Sequence, residues 1–254
     1  MPTAFITGAT AGFGQEIAII FAEHGYNVII NGRRKDRLEN LKSQLEENYG
    51  IQALTLPFDV RIKDDVFNAI NNLPNDWKNI DVLINNAGLA LGLSSVQSGN
   101  TDDWDVMLDT NVKGLLYVSR AVAPIMVNQK NGHIINIGSI AGKQTYHRGN
   151  VYSATKYAVD ALTKAMRIDM LPYQVKVSAV NPGAAETEFS EVRFKGDKDK
   201  AKSVYEGYTP LKARDVAEVV YFVATRPANV VINDVVITPL AQASSAYLYR
   251  KTEK

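Results

Sequence analysis

Cysteine is absent from the 254 residues, which excludes a disulfide framework, a thiolate metal site and a cysteine nucleophile. Histidine is scarce. His24, His133 and His147 are the only three, and no two stand at a metal-ligand spacing, so no metal site is expected. No uninterrupted apolar run approaches the roughly 18 residues of a membrane-spanning helix. Met1-Pro2-Thr3 passes straight into a strand-like run, with no basic segment ahead of an apolar one, so no secretory signal is expected. Net charge is nearly lacking as well: 28 Lys plus Arg against 27 Asp plus Glu leave +1, and nothing in that balance attracts nucleic acid or an anionic membrane. The expectation left standing is a cytoplasmic protein whose partner is a small molecule. Repeats, low-complexity tracts and linker-like stretches are also missing. With 46% hydrophobic and 22% charged residues, the chain suits one large α/β domain over 1–254.

What is present begins with a strand–loop–helix signal at the amino end. Ala4 to Thr7 is apolar, Gly8-Ala9-Thr10-Ala11-Gly12-Phe13-Gly14 follows, and Gln15 to His24 is amphipathic, with Ile17, Ile20 and Phe21 on one side. Glycines let the backbone approach a pyrophosphate, and the helix behind them offers free N–H groups and the positive end of its dipole. Tyr26 to Ile30, the next strand, runs into Asn31-Gly32-Arg33-Arg34, with no acid before Asp36. A coenzyme bearing only a ribose hydroxyl usually meets a carboxylate near there. Arg33 and Arg34 suit a 2′-phosphate instead, which points to NADP; the other reading is that they cap a solvated helix start.

Further strands are expected at Ala53 to Pro57, Val82 to Ile84, His133 to Ile137, Val175 to Val180 and Val230 to Ile237, separated by helical patterns. Runs apolar on both faces indicate a parallel sheet covered on each side. The result is a single Rossmann-type domain, a doubly wound parallel sheet of about seven strands with helices on both faces. Asp59, just past the third strand, either accepts from an adenine amino group or caps the next helix. Asn85-Asn86-Ala87-Gly88 ties strand ends together and leaves room for a ribose. Asn111 sits among Val106, Leu108, Val112, Leu115 and Leu116, where a core amide is ordinarily satisfied by local bonds. The charged, glycine-containing stretch Glu191 to Lys202 looks mobile, and a substrate lid is expected around 186–207.

The chemistry concentrates between Ser139 and Lys156. Ser139 ends an apolar run, where doubly wound sheets place ligands, and Tyr152 follows thirteen residues later. Tyr152 and Lys156 are four apart, so a helix from Val151 to Leu171 puts both on one face. An ammonium beside a phenol favours the phenolate and brings its pKa from about 10 towards the working range. Ser139 polarises a carbonyl from the other side.

Thr7-Gly8-x-x-x-Gly12-x-Gly14, Asn85-Asn86-Ala87-Gly88, Asn111, Ser139, Tyr152-x-x-x-Lys156 and Pro182-Gly183 occur in the order and spacing of the short-chain dehydrogenase/reductase family, which the chain resembles over nearly its whole length. Asn31-Gly32-Arg33-Arg34, Gly149 to Lys156 and Glu186 to Asp197 resemble the family's NADP-dependent 3-hydroxy acid dehydrogenases, which act on serine, L-allo-threonine and related short acids. The resemblance implies four catalytic residues. Tyr152 exchanges the hydroxyl proton, Lys156 lowers its pKa and holds the nicotinamide ribose, Ser139 stabilises the alkoxide, and Asn111 holds a water that links Lys156 to solvent. It also implies an NADP site built from Thr7, Gly8, Thr10, Gly12, Phe13, Gly14, Arg33, Arg34, Asp59, Val60, Asn86, Ala87, Gly88, Tyr152, Lys156, Pro182, Gly183, Thr187 and Phe189. A substrate site at Ser139, Gln144, Arg148, Tyr152 and Arg193 follows, with Arg193, Lys195, Arg148 and Gln144 as candidates to meet a carboxylate or as ordinary surface groups. One departure is Ala184-Ala185 after Pro182-Gly183, where the family more often has a larger apolar residue beside the nicotinamide.

A reductase of 3-oxoacyl groups on a carrier protein, or a broad carbonyl reductase, shares this set of residues, and an NADP-sensing protein without turnover shares the fold. Family members often form homotetramers through the helices carrying Asn111 and Tyr152, and that assembly is the expectation here.

Overall fold

Apolar runs with no polar face become strands only where helices cover both sides, and that condition is met here. The computed structural model describes residues 1–251. Seven strands, β1 (Thr3–Ile6), β2 (Asn27–Gly32), β3 (Ala53–Pro57), β4 (Val82–Asn85), β5 (Gly132–Ile137), β6 (Val175–Pro182) and β7 (Asp234–Ile237), form one sheet in the order β3-β2-β1-β4-β5-β6-β7. Every pairing is parallel. The helices are α1 (Gly12–Glu23), α2 (Lys35–Tyr49), α3 (Lys63–Asn71), α4 (Thr101–Leu108), α5 (Leu115–Gln129), α6 (Asn150–Met170), α7 (Glu188–Arg193), α8 (Lys198–Ser203) and α9 (Ala213–Ala224).

Alternation along β1 divides the core in two. Ala4 and Ile6 pack with Ile17 and Phe21 of α1, Leu38 and Leu41 of α2, and Val216 and Val220 of α9. Phe5 points the other way, into a cluster with Val66 and Ile70 of α3 and Val118, Val122 and Met126 of α5. Because β1 lies between β2 and β4, successive crossovers leave in opposite directions, and a crevice opens at the carboxyl ends of β1 and β4.

Buried amides hold the floor of that crevice. Asn85 Nδ2 donates to Ser119 Oγ and to Asn136 Oδ1, both at 2.9 Å, and Asn136 Nδ2 donates to Thr163 Oγ1 at 2.9 Å, so β4, β5, α5 and α6 are fixed to one another. Between α4 and α5 the helix passes without interruption through a π-helical turn, Asp109–Gly114, that contains Asn111.

One expectation needs adjusting. The last strand begins at Asp234 rather than Val230, because the Val230 N–H turns back onto Pro227 O at 2.9 Å and that stretch is still a turn. The stretch 186–207, where a lid is expected, contains α7 and α8, with ion pairs from Glu188 to Arg34 and from Lys195 Nζ to Asp103 Oδ2 at 2.9 Å. Among the described residues no helix is long and apolar enough to cross a membrane, and no group of three or more His, Asp or Glu is arranged to hold a metal.

Candidate active site

The loop from Gly8 to Gly14 approaches the end of β4 closely at its glycines, where a side chain would not fit. A Cβ on Gly14 would lie 2.3 Å from Gly8 O, and Gly12 has φ +56°, in the left-handed region that favours glycine. Thr7 and Asn86 do the fastening: Thr7 Oγ1 accepts from Asn86 N and Ala87 N, both at 3.0 Å, and Asn86 Nδ2 donates to Thr7 O at 2.8 Å. Helix α1 follows Ala11 with no side-chain cap and no acid in its first turn, so its N–H groups and dipole face the crevice uncompensated. The resulting cleft, about 300 Å³, is lined by Gly8, Thr10, Gly12, Phe13, Arg33, Arg34, Asp59, Val60, Asn86, Ala87, Gly88, Tyr152, Lys156, Thr187 and Phe189. Pro182 and Gly183 lie in the adjoining lobe together with Ser139 and Ala184.

The cations at the far end have specific partners. Arg34 donates from Nε and NH2 to Thr10 Oγ1 at 3.2 and 2.9 Å, and from NH1 to Glu188 Oε2 at 3.0 Å. Arg33 is 63% exposed, its nearest carboxylate 3.9 Å away at Asp59. Neither arginine caps the helix behind it: Arg34 flanks the start of α2, and that helix has no side-chain capping bond. Asp59 is no helix cap either. Arg61 holds its carboxylate through Nε and NH2, and α3 begins after Ile62. Uncapped α1 amides, a glycine-punctuated loop and exposed guanidiniums form a donor set suited to a phosphorylated dinucleotide with a 2′-phosphate.

At the other end of the cleft, Tyr152 and Lys156 leave α6 on one face, as their spacing requires. Their electrostatics differ from expectation. Lys156 Nζ donates to Ile137 O at 2.9 Å and lies 6.0 Å from the centre of the Tyr152 ring. Burial pulls its pKa down to about 8. Burial likewise pushes the Tyr152 phenol up to about 12, against the opposing pull of the Arg193 guanidinium and a smaller one from the Ser139 hydroxyl, while Tyr146 adds to the rise. Desolvation, which sequence spacing does not report, is the largest cause at both groups, and the main pull opposing it at Tyr152 comes from Arg193 rather than from Lys156. Ser139 Oγ accepts from Ala141 N at 3.1 Å and makes a long contact of 3.4 Å with Pro182 O, so its hydroxyl hydrogen is only weakly engaged.

Asn111 is a satisfied core amide. Oδ1 accepts from Leu89 N at 2.8 Å, while Nδ2 donates to Leu89 O at 2.8 Å and to Thr155 Oγ1 at 3.0 Å. One lone pair on Oδ1 is left over, and it faces the same space as the lysine: a Cβ on Gly88 would lie 3.2 Å from Oδ1 and 3.6 Å from Lys156 Nζ.

The substrate candidates separate. Arg193 is inside the site, its guanidinium carbon 5.1 Å from the Tyr152 ring centre and 5.4 Å from that of Phe189. Its NH2 donates to Tyr146 Oη at 2.5 Å, and its Nε is buried without a partner among the described residues. Arg148 is exposed, with φ 62°, and lines a neighbouring lobe with Tyr152, Arg193 and Lys195. Gln144 is exposed, and its Oε1 accepts from Ser245 N at 3.1 Å. Reading the sequence missed Tyr146, Arg37 and Glu188. Arg37 had a signal, three residues after Arg34 on a helix; Tyr146, in an irregular loop, had none.

Replacing Lys156 by methionine is expected to stabilise the unliganded protein at pH 7 by about 2 kcal/mol, after allowing for the lost bond to Ile137 O. The folded-state pKa is depressed from 10.5 to about 8, so the cost of burying the charge is fully present below pH 8 and fades as the pH rises to 10.5. Denaturant unfolding at pH 7 and pH 10.5 checks this. A variant no more stable at pH 7, or equally favoured at both, would contradict it.

Comparison with known proteins adds an independent line. The family model described as short chain dehydrogenase matches residues 2–198. NADP-dependent 3-hydroxy acid dehydrogenase YdfG of Salmonella typhi is 49% identical over 239 residues, covering 94% of this chain and 95% of that one. NADP-dependent 3-hydroxy acid dehydrogenase of Schizosaccharomyces pombe is 42% identical over 250 residues, 98% and 96% of the two chains. Among solved structures, the closed form of serine dehydrogenase complexed with NADP+ superposes with a TM-score of 0.91 at 43% identity, covering 98% of this chain and 100% of that one.

Proposed function

We propose that this chain, which belongs to the short-chain dehydrogenase family, is an NADP-dependent oxidoreductase of short 3-hydroxy acids such as serine, L-allo-threonine and 3-hydroxypropionate, acting at the hydroxyl-bearing carbon. The carrying observation is Arg193, a guanidinium with a buried unpaired Nε, 5.1 Å from the centre of the Tyr152 ring. It offers a charge-assisted anchor for a carboxylate next to the group that handles the proton.

The bound nicotinamide supplies the hydride acceptor or donor. Tyr152 takes the hydroxyl proton in oxidation and returns it to the carbonyl oxygen in reduction, and Ser139, its hydrogen loosely held, donates to the same oxygen. Lys156, protonated below about pH 8, puts a positive charge on the floor of the cleft. Arg193 fixes the acid end so that the hydroxyl carbon is presented to Tyr152 in one orientation. Thr7, Asn86 and the loop glycines hold the backbone open to a pyrophosphate, while Arg33 and Arg34 meet the 2′-phosphate. A homotetramer belongs to the same reading: Tyr157 and Ile168 leave apolar surface exposed along α6.

The test is nicotinamide absorbance with both coenzymes over serine, L-allo-threonine, 3-hydroxypropionate, a neutral secondary alcohol and a 3-hydroxyacyl thioester. Short acids with NADP+ are expected to give the highest kcat/KM. A thioester or neutral alcohol that outruns every acid would overturn the substrate assignment.

A further inference from the structure

Glu188, the first residue of α7, stands outside the chemistry described so far, yet its carboxylate reaches across the mouth of the cleft to the guanidiniums at its far end. Oε2 accepts from Arg34 NH1 at 3.0 Å and Oε1 from Arg37 NH1 at 2.6 Å. Burial raises the Glu188 carboxyl, but the bonds from Arg37 and Arg34 override that and hold it below its ordinary value, so it is ionised at neutral pH. No acid occupies the end of β2, where coenzymes with an unphosphorylated ribose usually find one, and Glu188 supplies negative charge to that region from a distant part of the chain.

The donor count on Arg34 shows what this means for a ligand. Nε and NH2 are committed to Thr10 Oγ1, which leaves NH1 as the nitrogen free of the loop, and NH1 is the one Glu188 holds. NH1 keeps a second hydrogen, but a phosphate that takes it sits against the Glu188 carboxylate and competes with it for the same nitrogen. It must also bring a second dense negative charge beside Glu188, at a surface where all three side chains are 42–48% exposed and water screens only part of the repulsion. Arg33, with only the 3.9 Å approach of Asp59, has no such competitor.

We propose that Glu188 is a coenzyme-specificity residue: an internal anion that competes with the 2′-phosphate for Arg34 and Arg37 and so restrains the preference for the phosphorylated coenzyme. This rests on the NADP reading of the cleft and goes beyond it, since family resemblance implies the arginines and says nothing of a carboxylate opposing them. The same competition weakens the tie between the start of α7 and α2, while the tie from Lys195 to Asp103 stays in place.

The experiment is calorimetric titration of the full chain with adenosine 5′-monophosphate and adenosine 2′,5′-bisphosphate, which differ only in the 2′-phosphate and carry no nicotinamide. In the wild type the bisphosphate is expected to bind more tightly. In Glu188→Gln, and again in Glu188→Ala, its advantage over the monophosphate should grow by about fivefold, the size of an exposed ion-pair effect, with monophosphate affinity unchanged. A purely structural role would move both nucleotides together and leave their ratio alone. An unchanged or smaller ratio in the variants overturns the competition. A wild type that does not distinguish the two nucleotides overturns the NADP reading itself, and this inference with it. Glu188 is 42% exposed in its side chain, so the substitutions leave the core intact, and a thermal melt of each variant verifies that.

Discussion

Tyr152→Phe is expected to lower kcat about 1,000-fold, within the range by which a positioned proton donor or acceptor accelerates a reaction, while coenzyme affinity stays within about twofold of wild type. The substitution removes one oxygen and leaves the ring, with its edge contact to Phe189 at 5.6 Å between centroids, in place. Steady-state turnover and a fluorescence titration of the coenzyme separate the two quantities. Turnover within tenfold of wild type would remove Tyr152 from proton transfer. The direction of reaction adds a second signature. With the phenol at about 12 in the free site, oxidation, which needs the phenolate, should gain with rising pH across the neutral and mildly alkaline range. Reduction, which needs the protonated phenol, should show no such gain, and the phenylalanine variant should lose the difference.

Arg193→Met should reduce the ratio of kcat/KM for a carboxylated aldehyde to that for a neutral aldehyde of similar size by about 100-fold, the scale on which a buried charged hydrogen bond loses its partner. The ratio is the proper readout. Arg193 also draws the Tyr152 phenol down, so its removal touches every substrate through the proton, whereas only an acid loses its anchor. Methionine keeps the side-chain length among Tyr146, Tyr152 and Phe189, which limits the packing loss. A parallel loss on both aldehydes would leave Arg193 as an electrostatic neighbour of Tyr152 and end its assignment as a carboxylate clamp.

Local pattern made some of these features legible and tertiary packing concealed others. The glycine loop, the arginines after β2, the strand-end serine and the four-residue spacing of Tyr152 and Lys156 are each confined to one turn or one loop, where covalent geometry dictates which side chains meet. The sheet followed from the same cause, since a run apolar on both faces has few places to go. Glu188 and Arg34 lie 154 positions apart, and Arg193 and Tyr146 lie 47 apart across an irregular loop; no periodicity joins either pair. The phenol's rise to about 12 was hidden for a related reason. Its charge neighbours can be counted along the chain, but desolvation depends on everything packed around it, and here that was the larger effect.

The π-helical turn at Asp109–Gly114 also limits how the gene can vary. Such a turn holds one residue more than a regular helical turn would need, so deleting a single codon there would give a backbone with better hydrogen bonding. It would also rotate everything beyond by about 100° relative to what precedes it. Either the Asn111 carboxamide would leave Leu89 and Thr155, or Val118, Val122 and Met126 would turn away from the sheet. The length of this stretch has no slack.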